Sequence, residues 1–488
     1  MKVKRGIFFS THTLVLFFVL SASGAAEDES KPRIPLMLLD ANTSGFAATF
    51  AKSGSIDRDN PFFQSLGTNG RSCSSCHQQS DGWSVTPAHI QQRFEATKGT
   101  DPIFRLNDGA NSPDADVATT EARRKAYSML LTKGLIRVGI GVPDNAEFEL
   151  VSADDPYGYA SAKKLSLFRR PLPSANLKFL STVMWDARET FKDPASRDCI
   201  IGTTKCFASM HFDLASQAND ATLGHAQGTQ MLTLEQSETI IDFENNLFTA
   251  QVFDNQAGWL TARRAKGGPK YLSKQEFYFG INDVLAGDYQ TGAPFNPVTF
   301  NLYLTWNQDA SNKKADGQEE HAEQGEHSAR EARRAVARGE VLFNTKPIEI
   351  TGVKGISDDL NVAVLPGTCT TCHDTPVSGN HSTPMPLDIG LSDASRRTPD
   401  MPLYTLRNKT THEIILTTDP GRALITGKWS DIGRFKGPIL RSLAARPPYF
   451  HNGSANDLGA VVDFYNQRFG IGFTEQEKTD LVAFLKAL

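Results

Sequence analysis

The chain has 488 residues, 39% of them hydrophobic and 22% charged, with a formal net charge of −4. These values describe an ordinary globular protein, long enough for two or three domains with substantial cores, and exclude a disordered or collagen-like chain. The acidic balance argues against a nucleic-acid partner and weakly favours a basic one.

The first 26 residues stand apart. Lys2, Lys4 and Arg5 precede the apolar run Leu14–Leu20, and small residues follow at Ser21 to Ala26, before Glu27. This pattern predicts a secretory signal over 1–26, cut near Ala25 or Ala26, and hence an exported protein. The apolar run is short for a membrane span, no later segment approaches spanning length, and no span is expected after signal cleavage. Losing three positive charges with the signal leaves the mature chain more acidic.

Residues 27 to about 72 read as an irregular, partly extended lead-in, with turn residues Gly67, Asn69 and Gly70 at its end. Then comes Cys73-Ser74-Ser75-Cys76-His77, a C-x-x-C-H run of the kind that attaches a c-type haem. The cysteines bond the porphyrin, and the adjacent histidine is the proximal iron ligand. Short helices are predicted around Ile90–Ala96 and Glu121–Leu131, with loops at Asn107–Gly109 and Asp154–Pro156. Cys199 and Cys206 are the cysteines outside C-x-x-C-H runs; in an oxidising compartment they are expected to pair. Thr233-Leu234-Glu235-Gln236 has the form of a capping box. After it, Ile240, Ile241, Phe243, Leu247 and Phe248 predict one apolar helix face.

From Asn307 to about Arg338 the chain is highly charged and poor in large apolar residues. It reads as a solvated connector running into a helix that ends near Phe343. A second C-x-x-C-H run, Cys369-Thr370-Thr371-Cys372-His373, follows a Pro366-Gly367 turn. Another capping box, Thr474-Glu475-Gln476-Glu477, opens a terminal helix with Leu481, Val482, Phe484 and Leu485. The predicted organisation is mainly α: two cytochrome c-type haem domains with long irregular loops, 27–306 and 339–488, on either side of a connector at 307–338. Two covalent c-type haems are expected, with His77 and His373 on the irons.

Four segments together resemble the bacterial di-haem cytochrome c peroxidase family, which includes MauG. They are both C-x-x-C-H runs, the stretch Arg169–Arg188, and Pro448-Tyr449-Phe450-His451-Asn452-Gly453. The family's usual F-W-D-G-R is here Met184-Trp185-Asp186-Ala187-Arg188. The resemblance implies a periplasmic oxidoreductase that reduces hydrogen peroxide at its N-terminal haem. Electrons would be relayed through the C-terminal haem from a small donor protein, a cytochrome c or cupredoxin, or from a protein or organic substrate. An electron-transfer cytochrome without turnover and a di-haem oxygenase are the alternatives.

By the same resemblance, Trp185 matches the tryptophan between the two haems, and Gln217 the distal glutamine. His225 stands where the family's acid–base glutamate falls, and an imidazole can take and return a proton near neutral pH. His89 is a second distal candidate. Tyr465, fourteen residues after His451, matches the MauG tyrosine that ligates the second iron; a phenolate favours ferric and higher-valent iron. His451, Met385 and Met401 are the other ligand candidates. A calcium site is doubtful, because its asparagine and threonine positions are Arg170 and Arg446, and guanidinium cannot ligate a cation.

Overall fold

In the computed structural model, which describes residues 33–34, 37–190, 205–308 and 324–488, the lead-in is extended in its first part and irregular from 58 to 72. Met37–Asn42 alternates exposed and partly covered positions and turns at Thr43-Ser44 to pair with Gly45–Ala51. Leu247–Asp254 adds on the other side of that hairpin, and Gly258–Trp259 completes an antiparallel four-stranded sheet. The expected helix face through Leu247 and Phe248 is thereby corrected. The capping box forms as expected, but its helix is Leu234–Asn245, and Leu247 and Phe248 begin the strand. Both are buried by sheet pairing rather than by helical periodicity.

Shorter sheets account for the rest of the departure from a mainly α chain. Ile136–Ile140 pairs with Leu165–Arg169, and Ile348–Thr351 with Val364–Gly367. Phe148–Asp154 pairs with Leu403–Asn408, which pairs with Ile414–Thr417. Strand makes up 18% against 32% helix, so the mainly α expectation is wrong. Alternating β-branched and aromatic residues find partners far along the chain, which local helix signals do not register. The sheet joining 148–154 to 403–417 also ties together segments on either side of the expected connector.

Helices supply the remaining frame. Pro87–Thr97 is capped by Thr86, and the expected second helix is split at Tyr127 into Thr120–Ala126 and Ser128–Lys133. Lys205–Gly224 is a long helix of the N-terminal half. Gln324–Thr345 starts well inside the expected connector and packs against the terminal helix Glu475–Lys486, which carries its expected capping box. Arg338 holds Asp480 through two bonds of 2.7 and 2.9 Å. A Cβ on Gly339 would lie 2.0 Å from the Asp480 carbonyl oxygen, so only glycine permits this approach. Phe300, Phe343 and Phe484 meet edge-on or tilted at 5.3–5.7 Å to close the core there. Among the described residues no helix is long and apolar enough to cross a membrane. The signal segment and Cys199 lie outside the described residues, as does the side chain of Cys206, so their disulfide has no structural account.

Candidate functional site

Both C-x-x-C-H runs adopt one local form. Cys73–Ser75 is a single 3-10 turn closed by reciprocal bonds between Ser72 and Ser75, and the His77 amide donates to the Cys73 carbonyl at 3.0 Å. Cys369–Thr371 repeats this with Thr368 and Thr371, and the His373 amide reaches Cys369 at 3.1 Å. His77 Nδ1 lies 3.1 Å from the Trp83 carbonyl, and His373 Nδ1 lies 2.6 Å from that of Gly379. A carbonyl only accepts, so each Nδ1 carries the proton and each Nε2 keeps its lone pair for a metal. Burial lowers the pKa of both imidazoles, His77 to about 4, which keeps them neutral as ligands must be.

Each run lies in the wall of its own cavity, with about 1550 Å³ of empty space at the first and 1670 Å³ at the second, including the part open to solvent. The cavities adjoin. Arg170, Pro171, Leu172, Trp185, Lys436 and Arg446 line both.

Gln217, on the helix Lys205–Gly224, and His225, just past its end, both line the first cavity with His77. The His225 carbonyl is held by Asn69 Nδ2 at 2.8 Å, which seats this segment against the turn before Cys73. Its Nδ1 lies 2.5 Å from Asp108 Oδ2, while Arg71 donates to the other Asp108 oxygen. Burial opposes the Asp108 charge, but Arg71 and His225 outweigh it and hold the carboxyl below its usual range. The His225 ring is thereby oriented with Nε2 left to exchange a proton. His89 is not in this wall; its Nδ1 bonds Asp81 at 2.5 Å. Glu244 is, with Oε2 unpartnered and burial pushing its pKa up to about 8.

Trp185 is held by two hydrogen bonds. Its indole Nε1 donates to the Arg170 carbonyl at 2.8 Å, and its own carbonyl accepts from the Lys436 amide at 2.9 Å. Next to it Asp186 is buried against Arg169, at 2.5 Å, and Arg188, at 3.2 Å; Arg169 also grips Asp419 through two bonds. The four charges cancel, which makes their burial tolerable. Ala187 sits at φ 60°, a conformation costing a non-glycine residue roughly 1–2 kcal/mol, and glycine is the residue of the usual F-W-D-G-R form.

The second cavity brings His373, His451, Tyr465 and Met385 together. His451 is 1% exposed, stacked on Phe435 at 3.9 Å and edge-on to Trp185 at 6.2 Å, and neither ring nitrogen has a partner. Tyr465 lies among Phe450, Phe464 and Phe469, and burial, then the Cys372 and Cys369 sulfurs, raise its pKa. Met401 is excluded as a ligand candidate here, since it packs with Met129, Leu135 and Phe168 in a separate core.

Oriented Nε2 atoms beside paired cysteines, apolar walls and orphaned buried imidazole nitrogens fit two haems. Calcium fits poorly: Arg170 and Arg446 donate to carbonyls, and no group of three acidic, histidine or cysteine residues suited to a metal occurs among the described residues. Sequence reasoning missed Asp108, Lys436 and His381. Asp108 reads as a plain turn residue and meets His225 across 117 positions. Lys436 lines the shared wall, and buried His381 lines the second cavity in an ion pair with Asp374 at 2.8 Å that is not aligned as a hydrogen bond. No sequence signal marks any of the three.

No family model matches the chain. Cytochrome-c peroxidase IdrP2 of Denitromonas iodatirespirans is 33% identical over 132 residues, which are 25% of this chain and 36% of that protein. Cytochrome-c peroxidase IdrP1 of Pseudomonas sp. (strain SCT) is 31% identical over 140 residues, again 25% and 36%. The chain thus spans about a third of the length of these curated relatives. A crystal structure of a MauG-like protein associated with microbial copper homeostasis covers 88% of this chain and 87% of its own, at 14% identity and a TM-score of 0.32, too low to establish a shared fold. Two C-x-x-C-H runs thus occur in a chain that is similar, over about a quarter of its length, to curated bacterial cytochrome-c peroxidases.

Proposed function

We propose that this chain is an exported, periplasmic di-haem oxidoreductase that reduces hydrogen peroxide at a haem held by Cys73, Cys76 and His77. Cys369, Cys372 and His373, with Tyr465 as a further ligand, would hold a second haem that would supply electrons to the first, and residues 27–306 and 339–488 are the two haem-bearing units. The observation that carries the reading is the His225–Asp108 pair in the wall of the first cavity, beside Gln217. When bound, haem iron supplies the redox centre at which the O–O bond breaks. His225 Nε2 takes the proton from the near peroxide oxygen and returns it to the leaving one, Asp108 orients the ring, and the Gln217 amide donates to the peroxide. Two electrons and two protons convert one peroxide into two waters. The electrons come from a small cytochrome c or cupredoxin, or from a protein or organic substrate, and Trp185, in both cavity walls, is the bridge between the haems.

Two measurements test this. Mass spectrometry of the denatured mature chain is expected to show two covalent haems. Optical and electron paramagnetic spectra are expected to show one high-spin ferric haem that reacts with peroxide, and His225→Ala to slow that reaction by roughly 10²-fold or more while leaving the haem high-spin. Conversion from low-spin to high-spin in the variant would instead make His225 an iron ligand. Two low-spin haems inert to peroxide would favour an electron carrier.

A further inference from the structure

Arg71 and Arg169 are buried against carboxylates, Arg71 on Asp108 and Arg169 between Asp186 and Asp419, whereas buried Arg137 and Arg441 bond main-chain oxygens, and neither of these lines both cavities. Arg170, Lys436 and Arg446 combine the lack of a carboxylate with a place in the walls of both cavities. Arg170, 6% exposed, donates to the carbonyls of Lys133, Val85 and Arg446. Lys436, also 6% exposed, reaches the Thr182 carbonyl at 2.8 Å, and Arg446 reaches that of Ile439 at 2.6 Å. None of the three has a carboxylate at ion-pair distance among the described residues. Burial pushes Arg170 down to about 9 and Lys436 to about 7, as expected for cations lacking a counter-charge. All three line both cavities, so the missing negative charge is to be sought in what fills them.

Haem bonded through its two vinyl groups keeps two propionates free. We propose that Arg170, Lys436 and Arg446 form one anion-binding wall that receives propionates of both haems, so that cations of the chain itself, and no divalent metal, neutralise the carboxylates between the two cofactors. Guanidinium offers paired N–H donors matched to a carboxylate, and Lys436 adds a point charge. A positive cluster common to both cavities favours the ferrous over the more positive ferric state at each iron. Removing one of its charges therefore lowers both reduction potentials together. A unit charge at a scale of about 10 Å and an effective dielectric of ~20 changes each equilibrium about tenfold, which is ~59 mV for one electron.

This inference rests on the two-haem part of the proposed function and not on peroxide chemistry. The test uses the full haem-loaded protein, first counting haems by mass and then titrating both potentials spectroelectrochemically. Arg446→Met is expected to keep two haems and lower both potentials about tenfold in equilibrium. Arg446→Lys, which keeps the charge, is expected to stay near the wild type. Lys436→Met carries the same expectation as Arg446→Met should the latter fail to accumulate, and EDTA treatment of the wild type should move neither potential. A shift confined to one haem, no shift in either charge-removing variant, or an EDTA-induced fall would overturn the proposal. Fewer than two haems in the wild type would reject the di-haem reading itself.

Discussion

Asp108→Asn preserves the shape of a buried side chain and removes the charge between Arg71 and His225. Two separate losses are expected. Arg71, 2% exposed, loses its carboxylate partner but keeps the carbonyls of Pro102 and Ile103 at 2.8 and 2.6 Å. Breaking one side of a buried ion pair costs roughly 3–5 kcal/mol, and the retained bonds place this case near the lower end, about 3 kcal/mol. His225 loses a charge-assisted bond of about 1.5–3 kcal/mol, hence a peroxide reaction slower by roughly 10- to 100-fold. The pH sign follows from the lowered Asp108 pKa. Its stabilisation is complete above the unfolded value of about 3.9 and is lost as pH falls through the lower folded value. Wild type and variant should therefore differ most near neutrality and converge in strong acid. Urea unfolding at pH 7 and pH 3, with stopped-flow mixing against peroxide at pH 7, measures both losses. An unchanged rate with two haems in place would refute Asp108 as the residue that positions His225, and an unchanged urea midpoint would refute the burial argument for Arg71.

Tyr465→Phe removes the hydroxyl offered to the second iron, so the low-spin signals of the second haem should change. Unchanged signals would pass the ligand role to His451 or Met385. Asp186, despite burial, is held at about 2 by Arg169 and then Arg188, which contributes roughly 2 kcal/mol above pH 4 that is lost between pH 4 and pH 2. The stability gap between wild type and Asp186→Asn should narrow across that window, and a constant gap would count against the charge network. Phe484→Ala should cost about 3–5 kcal/mol, read from denaturant midpoints, because the ring is fully buried against Phe300 and Phe343; a loss under about 1 kcal/mol would mean that the core collapses into the gap.

The two C-x-x-C-H turns were legible from the sequence alone because what they serve is a local requirement. Two thiols and an imidazole must lie within five consecutive residues, and the serine and threonine contacts that close each turn come from residues three apart. The capping boxes at Thr233 and Thr474 were legible for the same reason. Those helix signals also suggested a mainly α chain, since they carry their own hydrogen bonds, whereas the strand Gly45–Ala51 takes its partner from Leu247–Asp254 and Phe148–Asp154 from Leu403–Asn408. Only the tertiary structure could bring Asp108 to His225, gather three cations without carboxylates into a wall common to both cavities, and take Met401 away from the second cavity into a core of its own. Each of these depends on which distant surfaces pack together, and no spacing along the chain encodes a contact made through space by residues a hundred or more positions apart.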